Sequence, residues 1–416
     1  MEYKVEELIE SISKTHTFPN NEIIFLNTSD IEKGYVLHRN YSETKSLPGQ
    51  AKKSIQKGDI LYSEIRPKNE RYAYIDFECE NYVVSTKLMV LRNKKPKTLN
   101  TRFFYLYITS RTITNTLQNL AESRSGTFPQ ITFSEVKKLQ IKLPNLTVQN
   151  KIVKTIESIN QKIVTNQKII ANLEELSQTL FKRWFVDFEF SDENGNPYKS
   201  SGGEMVDSEL GEIPKSWTVK NLDDIANYVN GLAMQKYKHV DDKLSLPVVK
   251  IKELKNGSTD ENSNRCTSNI PEKALINDGD IIFSWSATLL VKMWCGGEAG
   301  LNQHLFKVSS DKYPKWFYYY WTKRYIDYFI GIAKDKATTM GHINRKHLSH
   351  AKILIPNDQT LEMFSRTFNE LLEKELNVSK ESKRLIELRD TLLPKLMSGE
   401  IEIPDDIEVN EDELSI

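Results

Sequence analysis

The longest regular pattern of apolar positions begins just after Val148. Ile152, Ile156, Ile159, Ile163, Asn166, Ile170, Leu173, Ser177, Leu180 and Trp184 step by alternating four and three residues. That spacing keeps one stripe of a helix turned toward a partner helix. Asn145, behind Pro144, suits the cap of such a helix. A second stripe carries Phe364, Phe368, Leu371, Val378, Leu385, Leu392 and Leu396, with Glu375, Ser382 and Arg389 interrupting it. Pro394 is expected to kink or end this second helix, because proline lacks the N–H that continues the ladder. The pattern predicts two long helices, and the natural partner of each is the other.

Ahead of each helix the period shortens. Ile23–Leu26, Ile60–Ile65, Tyr72–Ile75 and Val83–Leu91 are rich in β-branched and aromatic residues and read as strands. Leu139, Ile141 and Leu143 alternate into the first helix, as Ile353 and Ile355 do into the second, while Phe103–Leu120 and Trp316–Ile332 read as aromatic-rich helices. Whole blocks recur at displacements that fall from 221 to 212 residues along the chain, because small insertions separate them. Gly58-Asp59-Ile60 with Ser63 returns as Gly279-Asp280-Ile281 with Ser284, and Leu143-Pro144-Asn145 returns as Ile355-Pro356-Asn357. Phe104, Tyr105 and Tyr107 return as Phe317, Tyr318 and Tyr320. The expected fold class is therefore α/β (α+β): two mixed α/β globules, each followed by a long helix, in a pseudo-two-fold internal repeat. The boundaries read as a first globule over 1–145, a helical region over 146–190, a polar linker over 191–216, a second globule over 217–356, a second helical region over 357–400 and an acidic tail over 401–416. Such a molecule suits a target with two halves.

At 416 residues the chain exceeds what one core holds, since single cores stop growing near ~250–300 residues. No apolar run approaches the ~18 residues of a membrane span, and Met1–Glu10 is charged and unlike a leader. Cys79, Cys266 and Cys295 are far apart in sequence and make no metal or disulfide spacing pattern. A cytoplasmic protein is expected. The charges balance at 57 basic and 57 acidic residues, which argues against a protein that coats nucleic acid. The tail, with Glu402, Asp405, Asp406, Glu408, Glu411, Asp412 and Glu413, is expected to be disordered and leaves the preceding body with a modest basic excess.

No residue set points to catalysis or to a bound metal. Cys295-Gly296-Gly297-Glu298-Ala299-Gly300 does not match a dinucleotide fingerprint, and no phosphate-loop motif is present. Asn196-Pro197-Tyr198 has one proline where a methyltransferase motif has two, and Pro404-Asp405-Asp406 lacks the strand of a nuclease. His342, His347 and His350 have no acids or cysteines beside them in sequence. Two loops carry more. The first holds Arg124, Gly126, Thr127 and Gln130; its counterpart holds Thr338, Thr339, Gly341, His342, Asn344, Arg345 and Lys346. Amides such as Gln130 and Asn344 can pair with adenine edges and Arg with guanine, while Lys, hydroxyls and backbone N–H groups hold phosphates. Arg66, Lys68 and Arg71 form a third basic candidate, with the less basic Ser286 and Thr288 at the matching place. A solvated polar loop is the alternative at each, and the aromatic blocks read as core rather than as stacking platforms.

The globule–helix–globule–helix order resembles the specificity subunit of type I restriction–modification systems. So do the run Phe181-Lys182-Arg183-Trp184-Phe185-Val186-Asp187-Phe188, the segment Leu210-Gly211-Glu212-Ile213-Pro214 before Trp217, and Leu392-Leu393-Pro394-Lys395-Leu396-Met397-Ser398-Gly399-Glu400-Ile401. The resemblance implies two target recognition domains, each reading one half of a bipartite, asymmetric site in double-stranded DNA. It implies two helices paired as an antiparallel coiled coil, and no catalysis by this subunit. It implies recruitment of two modification subunits using S-adenosylmethionine and two restriction subunits using ATP and Mg, in a bacterial or archaeal cytoplasm. A coiled-coil adaptor that never touches DNA, and a free-standing DNA methyltransferase or nuclease, are the alternatives.

Overall fold

Short strands with buried faces and two helices with one apolar stripe divide the chain into two units. The first comprises Met1–Lys162 with the stretch that begins at Leu385; the second is Ile163–Arg384. The computed structural model describes residues 1–18, 20–124, 126–239, 241, 244–335 and 341–404. Most of the acidic tail, from Asp405 onward, lies outside the described residues.

In the first unit one sheet orders Ile9–Ser11, Leu88–Asn93, Ile60–Ser63 and Tyr72–Tyr74, every neighbour antiparallel. The other orders Tyr41–Glu43, Glu22–Leu26, Tyr82–Ser85 and Ala51–Ser54, with a parallel central pair. The second unit repeats both. Asn227–Asn230, Leu305–Ser309, Ile281–Ser284 and Leu290–Met293 form an all-antiparallel sheet. Arg265–Thr267, Ser245–Val249, Ala299–Leu301 and Leu275–Ile276 again have a parallel centre. The sequence repeat is thus a repeat of strand order and strand sense. Its Gly-Asp-Ile blocks are turns: Gly58 and Gly279 take φ of 92° and 89°. The Asp59 and Asp280 carboxylates accept the N–H of Gln56 and Asn277, each at 2.8 Å.

Three expectations about the globules and the segment between them need correction. Val83–Leu91 is not one strand. Ser85-Thr86-Lys87 turns the chain, so that Tyr82–Ser85 and Leu88–Asn93 enter different sheets. The aromatic helices are each broken in two, as Thr101–Ile108 with Arg111–Arg124 and as Lys315–Arg324 with Ile326–Asp335. The segment read as a linker carries an antiparallel hairpin, Met205–Ser208 with Gly211–Pro214. Before and after that hairpin, Tyr198 and Trp217 stack on Phe190 at 4.7 and 5.3 Å.

The long helices, Leu146–Phe185 and Asp358–Ser398, pair antiparallel. In the first unit Arg389 donates to Asn160 at 3.1 Å. In the second, Asn166 donates to Glu381 at 2.8 Å, and Trp184 stacks on Phe364 at 4.6 Å. Along the stripe Ile152, Ile156, Ile163, Asn166, Phe364 and Phe368 are buried. Ile159, Ile170, Leu173, Leu180, Leu371, Leu385 and Leu392 are half-buried. Pro394 does not end the second helix, which continues to Ser398. On both sides of the proline, Leu392, Leu393, Leu396 and Met397 pack into the first unit's core with Ile152 and Ile156. That burial offsets the ~3 kcal/mol an interior proline costs a helix.

Candidate nucleic-acid interface

At the end of the strand Ile60–Ser63 the chain turns sharply. Arg66 takes a left-handed φ of 44°, a conformation that costs a side-chain-bearing residue on the order of 1–3 kcal/mol. The strain is held by a second loop. Arg66 N–H donates to Pro129 O at 3.0 Å, Ile131 N–H donates to Glu64 O at 2.9 Å, and Ile65 bridges Gln130. The Arg66 guanidinium donates to Thr127 O at 3.2 Å. The structure therefore brings Arg66 to Thr127 and Gln130, across the sheet end rather than along the sequence.

The second unit has the same device. Ala287 takes φ of 56°, its N–H donates to Gly341 O at 3.0 Å, Ile343 N–H donates to Trp285 O at 3.1 Å, and Ser286 bridges His342. This register corrects the sequence pairing of the two loops. His342, not Asn344, occupies the place of Gln130. Asn344 corresponds to Thr132, and both cap short helices. Thr132 N–H donates to Glu135 at 2.7 Å, and Asn344 N–H donates to His347 Nδ1 at 3.1 Å. Gly126 and Gly341 are not equivalent either. A Cβ at Gly341 would sit 2.8 Å from Ala333 O, whereas one at Gly126 would meet nothing. Thr338 and Thr339, with Ser125, lie outside the described residues.

Several basic candidates are already engaged within their own unit. Arg71 donates to Ser29 O, Ile31 O and the Glu32 carboxylate. Arg124 pairs at 2.5 Å with Glu135, which is buried. Burial pushes the Glu135 carboxyl up, but the Ser134 and Thr132 hydroxyls, the Thr132 N–H and Arg124 outweigh it and hold it below the usual range. Arg345 donates to Tyr228 O at 2.9 Å and lies over the Phe306 ring. These three brace loops. Arg66, Lys68 and Lys346 are exposed, as are Gly126, Thr127, His342 and Asn344, and Gln130 is half-exposed. Lys68 is steadied through its backbone, whose N–H donates to Gln118 Oε1 at 3.0 Å.

Sequence reading missed a third loop at each sheet end. Lys87, before the strand Leu88–Asn93, stands beside Glu64, whose carboxyl is raised by burial against the opposing pull of Lys53 and Lys87. Gln303 and His304 precede Leu305–Ser309 in the same way. Only the strand pairings of Ser63 with Leu88 and of Ser284 with Leu305 bring these residues to the site. Phe128, 72% exposed at the loop tip, was also passed over. Among the described residues no group of three or more His, Cys, Asp or Glu is placed to hold a metal ion, and no helix is long and apolar enough to cross a membrane.

Comparison with known proteins adds a second line of observation. Residues 1–175 and 214–380 match the family described as type I restriction modification DNA specificity domain. The HindI specificity subunit of Haemophilus influenzae is 32% identical, over 96% of this chain and 99% of its own length. The MjaIX specificity subunit of Methanocaldococcus jannaschii is 28% identical, over 75% of this chain and 72% of its own. In fold the chain is similar to the crystal structure of a type I restriction–modification system S subunit from M. genitalium. The TM-score is 0.50 at 16% identity, covering 98% of this chain and 96% of that one.

Proposed function

Since the chain belongs to the type I restriction modification DNA specificity family, and so supplies DNA sequence specificity in a type I restriction–modification system, we propose how it divides that task. Each unit reads one half of a bipartite, asymmetric duplex target through the loops at the end of its all-antiparallel sheet. In the first unit Arg66, Lys68, Thr127 and Gln130 face the DNA; in the second His342, Asn344 and Lys346 do. Two modification subunits, using S-adenosylmethionine, methylate the target, and two restriction subunits bring ATP- and Mg-dependent cleavage. The chain itself positions these subunits on the DNA and catalyses nothing, and it works in the cytoplasm.

One observation carries this reading. The two units share strand order and strand sense, yet their sheet-end loops differ in chemistry, with Arg66 and Gln130 in one and Ala287 and His342 in the other. A common scaffold with unlike loops is what an asymmetric two-part target requires, because base edges are told apart by side-chain donors and acceptors. A coiled-coil adaptor would have no use for such loops. Mapping methylated bases made by the assembled modification complex tests it. The expected result is one motif of two unlike halves separated by a fixed run of unread positions. A complex that binds target and scrambled duplexes equally well rules the reading out.

A further inference from the structure

We infer that Gln303, His304 and His342 together form the base-reading edge of the second unit, with Trp285 as its floor. The inference rests on the proposed function and deepens it by naming a specificity-determining set. Three loops meet here. Pairing of Ser284 with Leu305 and bridging of Ser286 with His342 bring the three side chains to one end of the sheet. A fourth segment locks the arrangement. Leu232 bridges Asn302, and Gly231 passes so close that a Cβ there would sit 2.3 Å from Leu301 O. The Trp285 ring centroid lies 5.8 Å from that of His304 and 6.4 Å from that of His342. One indole thus supports both imidazoles, and both histidines are exposed.

The polar atoms of this cluster form an incomplete chain. Gln303 Nε2 is 3.4 Å from His304 Nε2, and His304 Nδ1 is 3.4 Å from Ser286 Oγ. With the amide donating to Nε2 and Nδ1–H donating to the hydroxyl, both imidazole nitrogens are used and the amide oxygen is left over at one end; the Trp285 N–H lies beside this run and not in it. Gln303 Oε1 and Trp285 Nε1 are buried and have no hydrogen-bond partner among the described residues. Natural structures rarely leave such groups unsatisfied, so each calls for a partner such as water or a bound ligand. The second N–H of the Gln303 amide and its unpaired Oε1 are one donor and one acceptor, the pair that matches adenine N7 and N6 in the major groove once the side chain turns toward a duplex. None of the three side chains carries a fixed charge, and Arg345 is committed to Tyr228 and Phe306. The set is therefore suited to base edges rather than to phosphates. In the first unit Lys87 takes the place of His304, and Glu64 and Arg66 flank it, which demands different bases.

The test uses the chain assembled with its modification subunits and a panel of duplexes carrying each single base-pair change in both half-sites. Gln303→Ala and His304→Ala should each lose about 5- to 150-fold of discrimination at one or two positions of one half-site. The other half-site and the slope of log affinity against log salt should stay unchanged. Gln303→Glu removes the donor and should move the preferred base from adenine toward cytosine, a change that damage to the fold does not produce. Unaltered discrimination at every position, or a uniform loss with a shallower salt slope, overturns the inference while the wild-type complex still prefers its target. A wild-type complex without any preference overturns the proposed function, and this inference with it.

Discussion

Glu375 stands on the apolar stripe of the second long helix, only 5% exposed. Burial pushes its carboxyl up to about 7; the nearby Glu174 adds to this and Lys323 opposes it. Lys323 is itself paired with Glu174 at 3.2 Å. Between the ordinary 4.5 and about 7 the folded chain holds a proton that the unfolded chain releases. Stability therefore falls as pH rises through that window and levels off above it. Glu375→Gln should melt several degrees higher than wild type at pH 8 and at nearly the same temperature at pH 5, a gain of no more than about 3 kcal/mol. A difference equal at both pH values would place its source elsewhere than in the carboxylate. At this scale the sequence was least legible. Glu375 was visible as a departure from the stripe, but its burial was not. The pairing of Gln130 with His342 rather than Asn344 depends on a bridge to the strand end, and no local spacing encodes that.

Within the paired helices Asn166 is fully buried. Its amide nitrogen donates to Glu381, while its Oδ1 has no partner among the described residues. Glu381 is exposed, so water can replace that bond. Asn166→Ile should therefore raise the melting temperature by a few degrees, since an unsatisfied buried acceptor costs roughly 1–3 kcal/mol. The same change removes a polar pin of helix register. A clear fall in melting temperature would mean that the amide–carboxylate bond outweighs the orphaned oxygen. Elements with a strong period were legible in advance: the four-and-three stripe gave both long helices from Ile152 and Phe364 onward. Elements without one were not. Val83–Leu91 is apolar on both faces, and only Ser85-Thr86-Lys87 hints that it folds over between two sheets. Pro394 does not end its helix, because helix propensity is local while the burial of Leu396 is not.

For the whole molecule, zero net charge means that attraction to DNA must come from local basic positions such as Arg66, Lys68 and Lys346, and not from a general field. Phosphate contacts release counterions, so log affinity should fall linearly with log salt. With both units engaged the slope should be steeper on a complete target than on one with a single half-site scrambled. A titration series on the two duplexes checks this, and identical slopes would mean that one unit makes all the phosphate contacts.

The second long helix also orders events in time. Arg389 meets Asn160 across 229 residues of chain, and Leu396 completes a core that otherwise belongs to Met1–Lys162. A ribosome adding about 5–20 residues per second needs roughly ten to forty-five seconds to cover that stretch. Through that interval Ile152 and Ile156 wait with one side uncovered, while the whole second unit is synthesised. The first globule to be made is thus the last to be finished.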